Sequence, residues 1–157
     1  MRTIRIIHAA DLHLDSPYQG LSTAKAAMRR EEQSLLLQRL VMLAGDEGAD
    51  LMLLSGDLLD SASGSTATGE ELLRWLGQAP CPVFIAPGSS DCYSERSPWA
   101  KLTLPENVTV FREKSIRMAA VPSACARIYG AAYTEPHSPP VLKGFHAERR
   151  ADVYNIL

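Results

Sequence analysis

Three short polar clusters in this chain could do chemistry together. They are Asp11-Leu12-His13, Gly56-Asp57-Leu58-Leu59-Asp60 and Pro87-Gly88-Ser89-Ser90-Asp91, and each follows directly on an apolar run. An Asp and a His two residues apart, just past a strand, can both turn toward one cation. A carboxylate from an adjacent strand can bridge that cation to a second. Hard divalent ions favour carboxylate oxygens, and imidazole suits Mn, Fe and Zn. Two such ions about 3.5–4 Å apart can clamp a phosphoryl group and supply a nucleophile for in-line attack. Taken singly, each cluster has an ordinary explanation, such as a turn Asp beside a packed His or a simple Gly-Asp turn. Their order and their placement after successive apolar runs point to a shared site.

Positioning them requires strands. Residues 4–9, 50–55 and 82–86 are short, apolar runs bounded by turn residues and predict buried strands. Residues 22–44 are rich in Ala, Leu, Arg, Glu and Gln, and Leu36, Leu40 and Leu43 recur at helical spacing. Gly45 or Gly48 can end that helix. Residues 70–78 predict a second helix, with Leu72, Leu73, Trp75 and Leu76 on its buried side. The Ser-, Gly-, Ala- and Thr-rich stretch at 61–68 reads as the most flexible loop. The resulting strand–helix–strand–helix–strand order predicts a parallel sheet with right-handed crossovers, whose carboxyl edge gathers functional groups. Residues 108–111 form a fourth strand candidate. Residues 116–121 and 127–133 predict a hairpin or neighbouring strands, 136–140 a linker and 153–157 a last strand.

Composition narrows the function classes. The hydrophobic share of 46% permits a packed core. A net charge of −2 gives no support for a strongly basic nucleic-acid surface. Cys81, Cys92 and Cys125 are odd in number and widely spaced, which predicts reduced, mostly packed thiols in a cytoplasmic protein. No stretch approaches the roughly 20 apolar residues needed to span a membrane. The apolar run at the N-terminus is broken by Arg5 and His8, so it has no secretory pattern.

Beyond these readings, the chain resembles a known family. His8-Ala9-Ala10-Asp11-Leu12-His13-Leu14-Asp15-Ser16-Pro17, Ser55-Gly56-Asp57-Leu58-Leu59-Asp60 and Ile85-Ala86-Pro87-Gly88 are similar to the early motifs of calcineurin-like metallophosphoesterases. The extended first motif is closest to SbcD-like and YhaO-like DNA repair exonucleases. Ile128-Tyr129-Gly130 and Tyr154-Asn155-Ile156-Leu157 resemble the family's later strands. The resemblance implies an α/β fold of the α+β sandwich type, four layers (αββα) in the family and partly present here. Residues 1–157 then correspond to the N-terminal portion of one metallophosphoesterase domain, ending ahead of the family's later histidine motifs.

By that resemblance Asp11 and His13 bind the first metal and Asp57 bridges both, with Mn the expected ion and Mg or Fe as alternatives. The family's third motif, Gly-Asn-His followed by Asp or Glu, supplies an Asn ligand and a His that stabilises the transition state. Here those positions are Ser89 and Ser90, while Gly88 and Asp91 match. A serine hydroxyl is a poor ligand for a hard dication and cannot act as an imidazolium. No family catalytic side chain is therefore intact at the third motif, and the second metal position is short of ligands. Asp15, Asp60 and Asp91 are candidates to orient ligands from behind; for Asp15 and Asp60 the alternative is to cap their own loops.

The expected function is phosphodiester hydrolysis of the DNA-exonuclease type, impaired in this chain. DNA is the implied substrate and an ATPase subunit the implied partner. A partly present sandwich leaves a sheet face uncovered, which predicts self-association through that face. The alternatives are a non-catalytic relative that binds nucleic acid or protein, and a fragment of a longer nuclease. Outside the motifs, His8 is expected to pack in the core, His137 and His146 to lie on the surface, and Trp75 to pack. Trp99 is expected to pack or to stack on a base, and Arg149 and Arg150 are expected to be solvated.

Overall fold

Leu51, Met52, Leu53 and Leu54 leave no polar face, so their strand must be covered on both sides. The computed structural model, which describes residues 3–60, 65–137, 139 and 142–157, places this strand at the middle of the fold. Four strands form a parallel sheet in sequence order: β1 (Ile6–Ala9), β2 (Leu51–Ser55), β3 (Val83–Ala86) and β4 (Val108–Val110). The crossovers from β1 to β2 and from β2 to β3 run through helices α1 (Thr23–Asp46) and α2 (Thr66–Leu76). A short helix, α3 (Pro98–Lys101), precedes β4. A second sheet follows, in the order β5 (Arg117–Val121), β6 (Ala126–Gly130), β7 (Tyr154–Ile156). β5 and β6 pair antiparallel, and β6 and β7 pair parallel.

Alternation along the central strands sorts the core into two. Met52, Leu54, Val83 and Ile85 point to the helices and pack with Leu37, Val41, Leu72 and Leu76. Leu51 and Phe84 point the other way, onto Val121, Ala126 and Ile128 of the second sheet. Phe111 joins that second core, its ring stacked at 6.3 Å from Phe84. It lies so close to Gly130 that a Cβ there would come within 2.1 Å of the ring. The described elements thus make a helix layer and two sheets, as expected for the α/β sandwich. No helix among the described residues is long and apolar enough to cross a membrane.

Several boundaries differ from the sequence reading. α2 begins at Thr66, inside the predicted loop at 61–68, whose residues 61–64 lie outside the described residues. Of the predicted linker at 136–140, residues 138 and 140 also lie outside them. The core face of α1 is Ala26, Leu37, Val41 and Ala44, with Leu40 partly buried; Leu36 and Leu43 are exposed. His8 is not packed in the core as expected. β1 is an edge strand, and its face away from the helices is exposed, so His8 is accessible and its Nε2 lies 3.0 Å from Ser55 Oγ. Beside it a cleft of about 330 Å³ opens between the sheets, lined by Ser55, Phe84, Phe111 and Ile156 among others.

Trp99 is fully buried, and its indole N–H donates to the Asp91 carbonyl at 2.8 Å, so it is a packing residue. Trp75 is partly buried against the helix-side core, with the Arg74 guanidinium 4.7 Å from its ring centroid. His137, His146, Arg149 and Arg150 are exposed.

Cys81 and Cys92 are buried, and Cys125 is exposed. Burial pushes the Cys81 and Cys92 thiols above the usual range, reinforced by the negative charges of Asp50 and Asp91 respectively. Because the thiolate is the reactive form, brief alkylation near pH 8 should modify Cys125 alone. Cys81 and Cys92 should react only after denaturation. Peptide mass mapping showing equal labelling of all three in the folded protein would contradict this burial.

Candidate metal centre

Asp11, His13 and Asp57 come from the loops that follow β1 and β2, at the carboxyl edge of the parallel sheet. One ligand atom from each lies within 4.8 Å of the others. The two loops are held together by a continuation of the sheet's own hydrogen bonding. Asp11 N–H donates to the Gly56 carbonyl at 3.0 Å, His13 N–H to Asp57 at 3.0 Å and Leu14 N–H to Leu58 at 2.9 Å. Asp60 N–H returns a bond to Leu14 at 3.0 Å, and Leu14 and Leu59 form a parallel bridge. Leu14, Leu58 and Leu59 are buried, which roots both loops in the core.

The backbone at this edge is strained. Asp11, His13 and Asp57 have φ of 55°, 43° and 50°, and Asp15 has 68°. Left-handed backbone is uncommon for residues other than Gly, and Asp and His are among those enriched there. Such strain, of order 1–3 kcal/mol per residue, persists only where the surroundings over-determine it. Here the bridging ladder and the buried leucines do so.

The side chains are oriented from behind. His13 Nδ1 lies 3.0 Å from Asp60 Oδ1, so the carboxylate accepts the Nδ1 proton and leaves Nε2 as the free ring nitrogen. That is the usual arrangement behind a metal-binding imidazole. Asp15 has a different partner: its carboxylate accepts from Ser65 N–H at 3.3 Å, at the entry to α2.

Asp91 is fully buried. Its carboxylate accepts from Gly88 N–H at 2.7 Å, Leu58 N–H at 3.1 Å, Asp57 N–H at 3.2 Å and Leu59 N–H at 3.4 Å. It is the internal template around which the second and third clusters fold. Burial raises the Asp91 carboxyl above the usual carboxylate range, and the bonds from Gly88, Leu59 and Leu58 pull it back.

Asp57 is also engaged by the third cluster. Ser90 N–H donates to its Oδ1 at 2.8 Å, and Ser89 Oγ donates to its Oδ2 at 3.4 Å. Gly88 allows this approach, since a Cβ there would lie 2.2 Å from Asp57 Oδ1. The residues present fit one divalent ion: two carboxylates of which one is exposed, and one imidazole with a fixed tautomer. They do not fit a second ion comparably. Among the described residues Asp57 is the candidate carboxylate beside Ser89 and Ser90, which add only hydroxyls, and the Asp91 carboxylate is occupied by backbone N–H groups.

Sequence reasoning missed Gln33. From α1 its side-chain amide donates to the carbonyls of Leu12 and His13, both at 3.1 Å, and so fixes the loop that carries the first two candidate ligands. Its spacing of four from the buried Leu37 was the signal, because it placed a polar side chain on the core face of the helix.

The family model described as calcineurin-like phosphoesterase matches residues 4–145. A curated relative from Bacillus subtilis (strain 168), described as the uncharacterized metallophosphoesterase YhaO, is 31% identical over 141 residues. That alignment covers 83% of this chain and 34% of the relative, so the chain spans about a third of the relative's length.

Proposed function

Because the chain belongs to the calcineurin-like phosphoesterase family, we propose that it is a metal-dependent phosphodiesterase of the DNA-exonuclease type whose hydrolytic step is impaired. Asp11, His13 and Asp57 would hold a divalent ion; Mn is the ion the family resemblance implies, with Mg or Fe as alternatives that the carboxylates and the imidazole also suit. Such an ion supplies Lewis acidity toward a phosphoryl oxygen and acidifies water near neutral pH. Asp60 keeps the His13 ring turned with Nε2 free. Ser90 N–H keeps the Asp57 carboxylate in place.

The observation that supports the impairment is what the third cluster offers that carboxylate: Ser89 and Ser90 give hydroxyls and one amide N–H, while the Asp91 carboxylate is taken up by backbone N–H groups. Losing a positioned transition-state group costs roughly 10²–10⁴ in rate. DNA as the substrate, and an ATPase subunit as the partner, rest on the resemblance of the extended first motif to DNA repair exonucleases. A non-catalytic binding role is favoured by the same two serines and is distinguished by turnover.

Titration calorimetry with Mn²⁺ tests the site. One ion per chain is expected. Asp11→Ala and Asp57→Asn should abolish measurable binding, and Asp60→Asn should weaken it about 10–100-fold by releasing His13. No Mn²⁺ binding, or binding indifferent to Asp57, overturns the metal reading. Turnover on a DNA substrate at the level of intact family enzymes, lost in Asp57→Asn, overturns the impairment.

A further inference from the structure

α1 is apolar on two sides. One side is the core face described above. The other carries Met28, Leu35, Leu36 and Leu43, which are 60%, 47%, 55% and 44% exposed. At about 100° per residue these four fall within roughly one third of the helix circumference, on the side away from Leu37 and Val41. Lys25, Glu32, Arg39 and Asp46 fall on the same strip, and all four are exposed. Isolated exposed apolar residues are ordinary, but four aligned on one strip of a 24-residue helix, alternating with charges, have the pattern of an interaction surface.

The strip is also self-complementary. About the midpoint between Leu35 and Leu36, Glu32 is as far toward the N-terminus as Arg39 is toward the C-terminus. The same relation pairs Met28 with Leu43, and Lys25 with Asp46. Each of these pairs is apolar with apolar or acid with base; the exposed Met42, at the edge of the strip, is level with Arg29 of the other copy. A twofold axis through the midpoint of two antiparallel α1 helices therefore brings each residue level with its complement on the other copy. Four leucines meet at the centre, Glu32 and Arg39 meet one turn out on either side, then Met28 and Leu43, then Lys25 and Asp46. Antiparallel packing also sets the positive end of each helix dipole beside the partner's negative end. Within the chain, Arg39 and Lys25 form no ion pair among the described residues, and Glu32 pairs only with Arg29 at 2.6 Å.

We infer that the outer face of α1 docks on α1 of a second copy, antiparallel and about a twofold axis, as the dimer interface of this protein. This is independent of the phosphoesterase reading and uses a different surface from the open sheet face.

Sedimentation equilibrium of the full chain tests it, with circular dichroism confirming that each variant is folded. The wild type should show a concentration-dependent monomer–dimer equilibrium. Leu35→Glu with Leu36→Glu should raise the dimer dissociation constant at least about 100-fold, since each change acts twice across the axis. Glu32→Arg alone and Arg39→Glu alone should each weaken association about 10-fold by setting like charges together. The double variant E32R/R39E should return to within about 3-fold of wild type. A strict monomer at millimolar concentration overturns the inference. So does association that ignores these changes but is lost on Ile6→Lys at the open sheet face, and so does a double variant no better than the singles, which excludes the antiparallel register.

Discussion

Ser89→Asn combined with Ser90→His is expected to raise Mn²⁺-dependent phosphodiester hydrolysis about 10²-fold over the unmodified chain. Both serines are half-buried and border the Asp57 carboxylate, one through its hydroxyl at 3.4 Å and one through its backbone N–H at 2.8 Å. The Ser90 contact is made by the main chain and survives replacement of the side chain. An amide at position 89 adds an oxygen ligand next to a carboxylate that is otherwise alone on that side. An imidazole at position 90 adds a group that can carry a proton near neutral pH, which serine cannot. Steady-state rates on a chromogenic phosphodiester and on single-stranded DNA, measured for the wild type, each single variant and the pair, separate the two contributions. Tighter Mn²⁺ binding with no gain in rate would show that the third cluster does not limit the chemistry.

Asp91→Ala is expected to cost about 3–5 kcal/mol of stability, at about 1–3 kcal/mol for each buried donor left without an acceptor. Four backbone N–H groups from two loops converge on this carboxylate, and Gly88, Leu58 and Leu59 would lose an acceptor where water has no access. Asp91→Asn keeps the shape but turns an NH₂ toward donors, so it should retain part of the loss. Urea unfolding of both variants gives the magnitudes. Mn²⁺ affinity should fall in step, because the Asp57 N–H is one of the four donors. An Asp91→Ala protein within 1 kcal/mol of wild type would mean that the loops hold their shape without it.

Much of the sandwich could be read from local pattern. The runs at 50–55 and 82–86 are apolar without alternation, which is how a doubly covered parallel strand looks, and Gly56 and Pro87 mark their ends. Strand–helix alternation then dictated parallel pairing, and parallel pairing brought Asp11, His13 and Asp57 to one edge. The misreadings share a physical origin, in that each depended on what lies on the far side of an element. Leu36 and Leu43 have the same helical spacing as Leu37 and Ala44, and only tertiary packing decides which of the two rows is covered. His8 is in a strand, but in an edge strand with one face open. Gln33 bonds to carbonyls 20 and 21 residues away, and its helical spacing from Leu37 was the one sign of it. Asp91 was legible as a supporting residue, but three of its four bonds reach N–H groups 32–34 residues away, which local pattern does not show.

The register of the parallel sheet has a kinetic consequence. Ile6 pairs with Leu51, Met52 with Val83 and Val83 with Val108, so each contact closes a long loop, whereas Arg117 and Gly130 are joined by a tight hairpin. Closing long loops costs more entropy before any contact repays it, so non-local parallel pairing is slow. The β5–β6 hairpin can therefore form early, while the carboxyl edge of the first sheet has no local precursor. Asp11 and Asp57 become neighbours only when β1 has paired with β2, and Asp57 and Asp91 only when β2 has paired with β3. A cation that binds this edge would find its three candidate ligands together only in the paired sheet, and so would act as a latch on a fold already made.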